Sequence, residues 1–203
     1  MLEVLRSMLF VPGNNPAMLQ AAGVFGADAV ILDLEDAVAL REKDAARFLV
    51  AEALQSVDFK TSAKVVRINT LETGGAEDLR RIVACAPSAV LAPKVQSAAD
   101  IQAVAGLLES LEQAGQSAVK IIALIETPRG LAEAYAVATA HPRLIALAFG
   151  AEDYTAALGA KRTRDGLEIM SARSMLINAA AAAGVAAIDT PFTDINDEAG
   201  LRA

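Results

Sequence analysis

Two apolar runs, 119–125 and 144–149, lead into acids: Glu126 directly after the first, Glu152 and Asp153 shortly after the second. If the runs are neighbouring parallel strands, Glu126 and one of the later acids emerge side by side at one rim. Two carboxylates with room left for water and a substrate oxygen are a common way to hold Mg2+. The pattern therefore predicts a metal-assisted enzyme acting on an oxygen-rich substrate. On chemistry alone Asp153 and Glu152 serve equally as the second ligand.

Other polar groups join this pair once the period of two in a strand is applied. Ile31, Asp33 and Glu35 share one face, as do Val65, Arg67 and Asn69, then Ile122, Leu124 and Glu126, and finally Ala92 with Lys94. In each set the polar member falls late in the strand, on the face assigned to a barrel interior. Arg67 is the sharpest single residue, because an arginine within Val-Val-Arg-Ile must be paired or sit at a wet rim. Its planar fork suits a substrate carboxylate, and a structural salt bridge to Asp33 or Glu35 is the alternative. The acids from Asp33 to Asp36 fit a solvated loop as well as a rim. Gly150 either lets the backbone approach a ligand or is a turn glycine. Lys94 binds an anion, forms a Schiff base, or simply points into solvent.

Strands are expected near 5–11, 28–34, 64–69, 88–93, 119–125, 144–149 and 185–189. Between them helices are expected near 16–24, 42–55, 75–84, 97–113, 128–139 and 166–183. Thr127-Pro128 reads as an N-cap followed by proline at the first helical position. Ser97 with Asp100 reads as a capping box, and Gly184 as a left-handed helix end. This βα alternation is that of an α/β fold with a parallel sheet, and about seven units point to a (β/α)8 TIM barrel, which usually needs ~250 residues. The expectation is one domain over 1–203, lacking the last βα unit and the C-terminal lid.

Composition narrows the function classes. The 203 residues are 54% hydrophobic and 21% charged, with a formal net charge of −7. That sign argues against a nucleic-acid surface, and no apolar run approaches the ~20 residues that span a bilayer. The start lacks the pattern of a secretory signal, and a single cysteine, Cys85, fits a reducing cytoplasm. His141 is the only histidine, which removes His-cluster zinc sites, and its Ala-His-Pro setting reads as a loop.

With these residues in place, the chain resembles the citrate lyase β-subunit family, within the wider group of HpcH/HpaI-type aldolases and malyl-CoA lyases. The resemblance runs through 6–13, 28–38, 43–47, 66–69, 92–94, 124–130, 149–154 and 189–194, with segments such as Ala92-Pro-Lys94 and Leu124-Ile-Glu-Thr-Pro-Arg-Gly130. It implies a Mg2+-dependent carbon–carbon lyase that cleaves a 3-hydroxyacyl thioester, of CoA or an acyl carrier, to a 2-oxo acid and an acetyl thioester. Citryl thioesters lead, with citramalyl- or malyl-CoA close behind. A pyruvate-type class II aldolase and a non-catalytic, partner-completed subunit are the other readings. The resemblance makes Glu126 and Asp153 the metal ligands, in preference to Glu152. It puts Arg67 on the substrate's carboxylate and oxygen, and Glu35 and Asp36 behind metal-bound water. Gly150 and Lys94 are the remaining candidates for substrate contact, and the strand-one loop and 189–194 are where the thioester arm is expected. A homotrimer or another homo-oligomer is expected to cover the open barrel edge.

Overall fold

The computed structural model describes residues 5–194 and 196–202. Seven parallel strands form one curled sheet in sequence order: β1 (Met8–Pro12), β2 (Ala29–Asp33), β3 (Ala63–Arg67), β4 (Ala89–Ala92), β5 (Lys120–Ile125), β6 (Leu144–Phe149) and β7 (Ala186–Ile188). All five residues of β2 are buried, as a strand covered on both faces requires. The helices are α1 (Pro16–Ala21), α2 (Lys43–Ser56), α3 (Gly75–Ile82), α4 (Ala98–Leu111), α5 (Pro128–Ala132), α6 (Ala134–Ala138), α7 (Ala151–Leu158), α8 (Leu167–Ala183) and α9 (Glu198–Arg202).

Strand alternation divides the apolar residues into two cores. The inner one is small, built of Ala29, Ile31, Ala63, Val65, Ala89, Leu91, Ile122, Leu124, Ala146 and Ala148. The outer one joins Val30, Leu32, Val66, Val90, Ile121, Ala123, Leu147 and Phe149 to the helices. Two corrections follow. Ala92 packs in the outer core, on the opposite side from the barrel interior. Asn69 lies beyond the end of β3, and its amide binds Leu34 O and Asp78 instead of the rim. Among the described residues seven strands are present, with β1 and β7 at the sheet edges, so the observed architecture is an open curled sheet, not a closed eight-stranded barrel.

The expected helix signals are present. Thr127 Oγ1 accepts from Gly130 N, the Asp100 carboxylate accepts from Ser97 N, and Gly184 has φ +71°. The pairing of β5 with β6 contains one irregularity: Ile121 pairs with Leu144, but Ile122 pairs with Ala146, so Ile145 is an extra residue in β6.

The buried Asp78 fastens α3 to the rest of the fold. Its carboxylate accepts from Asn69 N, Asn69 Nδ2 and Arg47 Nε, at 2.8, 2.7 and 2.8 Å. Asp78→Ala would leave the largely buried Arg47 without this partner and two donors of Asn69 unmet. A loss of about 3–5 kcal/mol is expected in urea denaturation.

Candidate active site

Asn69 apart, the residues singled out for chemistry lie at the carboxyl ends of the strands, where catalytic groups of such sheets collect. Arg67, the last residue of β3, points into the rim and is held by the last residue of β2. Its Nε donates to Asp33 Oδ1 at 2.7 Å and its Nη2 to Asp33 Oδ2 at 2.5 Å. Nη1 lies 3.0 Å from Glu35 Oε2 and 3.4 Å from Asp36 Oδ2, and the guanidinium carbon is 5.3 Å from the centre of the Phe10 ring. Burial opposes this charge, but the bond to Asp33 and the surrounding acids outweigh it, so the arginine holds its proton more firmly than usual. The structural salt bridge to Asp33 therefore exists, and one edge of the fork still faces the rim acids.

The acidic loop after β2 is shaped from both sides. Asp33 accepts from Glu35 N and Ala37 N at 2.8 and 3.2 Å, while Lys43 Nζ donates to the carbonyls of Leu34 and Glu35 at 2.7 and 2.5 Å. Burial lowers the Lys43 pKa. Lys43, at the start of α2, stood in a family-like segment, but only the chain's turn after Asp33 reveals its target. Asp33 was legible as an interior acid, not as the anchor of Arg67. Burial pushes Glu35 upward against the bond from Lys94. Glu35 Oε2 is buried and, although close to Arg67, is not in line for a hydrogen bond.

Glu126 follows β5 and is 3% exposed. Its Oε1 accepts from Lys94 N at 2.6 Å. Burial first, then the charges of Glu35 and Asp153, push its carboxyl up to about 7, against the bond from Lys94 N. Asp153 lies in the first turn of α7, where its side chain is 44% exposed, and Lys94 Nζ stands 3.7 Å from Oδ2. Glu152 binds Arg162 Nε at 3.1 Å. The structure thus leaves Asp153, and not Glu152, beside Glu126's neighbours.

Gly150 precedes α7 and leaves room for Glu126. A Cβ there would come within 2.7 Å of Glu126 Cβ and 2.9 Å of Oε2. Its φ of −102° suits any residue, so the constraint is space alone. Gly150→Ala is expected to displace Glu126 and cost about 1–3 kcal/mol in thermal or chemical denaturation.

These groups open into a cavity of about 640 Å3 lined by Arg67, Glu126, Gly150 and Asp153 at one end and by Arg6, Phe10 and Asp189–Thr193 at the other. Among the described residues no three His, Cys, Asp or Glu side chains cluster as a complete metal site. The rim offers instead carboxylate oxygens from Glu126 and Asp153, with Glu35, beside Arg67 and Lys94, behind them. Hard oxygen donors, fewer than a full shell, suit a divalent cation that keeps water and substrate as ligands.

The fold is that of a known class. Residues 6–203 match the family model for HpcH/HpaI aldolase/citrate lyase, and the chain belongs to that family. It is 46% identical to the citrate lyase subunit beta of Leuconostoc mesenteroides subsp. cremoris, over 97% of this chain and 66% of that protein. It is 37% identical to a (3S)-malyl-CoA thioesterase of Cereibacter sphaeroides, over 98% of this chain and 67% of that one. The protein CitE of Mycobacterium tuberculosis, solved with magnesium, acetoacetate and coenzyme A, superposes with a TM-score of 0.78 at 36% identity, covering 98% of this chain and 71% of its own. The chain thus spans about two thirds of the length of the curated relatives it matches. Among the described residues no helix is long and apolar enough to cross a membrane.

Proposed function

We propose that this chain carries the site of a Mg2+-dependent carbon–carbon lyase that cleaves a 3-hydroxyacyl thioester to a 2-oxo acid and an acetyl thioester. The observation that carries the reading is the single cavity joining Arg67, Glu126 and Asp153 to the open end at Arg6 and Asp189–Thr193. One end offers charge for a small oxyacid and the other offers length for a thioester arm. Magnesium, acetoacetate and coenzyme A in the Mycobacterium tuberculosis relative support it. Citryl thioesters are the leading substrates, given the citrate lyase relatives.

Glu126 and Asp153 would hold the cation. When bound, Mg2+ supplies Lewis-acid polarisation of the substrate's hydroxyl and adjacent carboxylate. Arg67, anchored on Asp33, presents its remaining edge to the substrate's carboxylate and fixes its orientation. Glu35 and Asp36, beside Arg67, would hold the water that takes up the hydroxyl proton. As that proton leaves, the carbon–oxygen bond becomes a ketone and the carbon–carbon electrons pass to the thioester fragment as an enolate. Returned from that water, the proton reaches the enolate carbon and completes the products. The sheet would be completed as a (β/α)8 barrel, within a homo-oligomer for which a trimer is the expected form.

The test is product release from citryl-CoA, citramalyl-CoA and malyl-CoA with Mg2+ and with EDTA, reading 2-oxo acid and free thiol separately. Metal-dependent 2-oxo acid without free thiol is the expected result and ranks the substrates. Free thiol without 2-oxo acid would replace the lyase by thioester hydrolysis, the reaction named for the Cereibacter sphaeroides relative. Silence on all three would overturn the proposal for this chain.

A further inference from the structure

Lys94 enters the carboxylate ring from two directions. Its amide donates to Glu126 Oε1 at 2.6 Å. Its Nζ lies 2.9 Å from Glu35 Oε1, 3.7 Å from Asp153 Oδ2 and 3.9 Å from Asp36 Oδ1. Simple strand alternation would not bring it there. Ala92 belongs to the outer core, so an extended continuation would send Lys94 toward the helices as well. The chain instead adopts φ +53° at Lys94, a left-handed conformation that a residue with a Cβ enters at a cost. That turn swings the ammonium back over the rim.

We propose that Lys94 is a resident counter-ion that competes with the divalent cation for Asp153, so that the cation binds together with the 2-oxo acid and not before it. The inference rests on the lyase reading given above. An ammonium among Glu35, Asp36 and Asp153 offsets part of the negative charge that would otherwise draw in a bare divalent ion. A carboxylate-bearing ligand restores that charge, and Asp153 then turns from the lysine to the cation. By linkage, each of cation and 2-oxo acid must tighten the other by the same factor. A purely structural lysine, tying β4 to the acidic loop, predicts no such coupling.

The experiment measures Mn2+ affinity by electron paramagnetic resonance, with and without saturating pyruvate, for the wild type, Lys94→Met, Lys94→Gln and Lys94→Arg. The wild type is expected to bind Mn2+ about tenfold more tightly with pyruvate than without it. Lys94→Met is expected to bind Mn2+ alone about tenfold more tightly than the wild type and to lose most of the pyruvate effect. Lys94→Gln, which keeps a donor for Glu35 but no charge, should do the same even if the methionine variant folds poorly. Lys94→Arg should retain the wild-type pattern. Wild-type coupling with unchanged or weaker Mn2+ binding in the uncharged variants overturns this inference alone. No coupling in the wild type also overturns it, and product release from the three thioesters then decides the lyase reading separately.

Discussion

Glu126→Gln is expected to abolish metal-dependent 2-oxo acid release while making the metal-free protein more stable at pH 8. The two effects have one origin. The amide keeps the shape and can still accept from Lys94 N, but it cannot carry the charge that a divalent cation needs. Loss of the proposed direct ligand should lower turnover by at least about a hundredfold, beyond what outer-shell partners of a metal typically cost. The stability effect follows from burial beside Glu35 and Asp153, which raises the carboxyl from 4.5 to about 7. The folded state then holds a proton that the unfolded state has released between those pH values. Stability from this group is present below about 4.5 and is lost as pH rises through 7. The charged form costs at most about 3 kcal/mol. Urea denaturation with EDTA at pH 8 should therefore show the glutamine variant as the more stable, with the difference closing below pH 5. A variant less stable at pH 8 would mean that Glu126 is not strained by its surroundings.

Arg67→Met should fail on both counts, activity and stability. The side chain of Asp33 is 2% exposed and would lose its bidentate partner. Removing one member of such a pair leaves an uncompensated buried charge, at a cost of about 3–5 kcal/mol. The loss should appear in equilibrium denaturation even without substrate. Activity should disappear with it, because in the proposed mechanism the same guanidinium orients the substrate's carboxylate. Arg67→Lys separates the two roles. A lysine keeps one charge near Asp33 but not the fork, so it should recover part of the stability and little of the turnover. Equal recovery of both would show that Arg67 acts only as a strut.

The strands were the most legible part of this chain, since buried runs such as Ala29–Asp33 and Lys120–Ile125 are continuous and bounded. The predicted strand at 144–149 coincides with β6. Helix α7 was missed because Ala151–Leu158 is only eight residues long and follows a glycine without a side-chain cap. The single helix expected over 128–139 is two short ones that meet at Glu133. At the site, Glu126, Asp153, Arg67, Glu35 and Asp36 do come together, because the carboxyl end of a parallel strand is a position that period and length reveal. Lys94 also reached the rim, but for a different reason from the one that placed it there. Alternation with Ala92 had the wrong face, and a backbone turn supplied the right one. Asn69 failed by the same logic, since β3 had already ended at Arg67. Hydrogen bonds made across the sequence, such as Lys43 to Leu34 O or Asn69 to Asp78, leave no periodic trace at all.

The register of β6 past the extra residue Ile145 works as a frame in three dimensions. Beyond it, Leu124 pairs with Ala148 and Ile125 with Phe149, which carries Gly150 to the position opposite Glu126. Leu144 and Ala146 pair with the adjacent Ile121 and Ile122, so deleting Ile145 would leave a regular ladder with every later pair and face unchanged. Deleting Leu147 instead, inside the regular stretch, would draw every later residue back by one and exchange their faces. Ala151 would then stand where Gly150 stands, where a Cβ comes within 2.7 Å of Glu126 Cβ. Two in-frame codon losses only two positions apart in one strand thus differ completely, the first sparing the site and the second closing it.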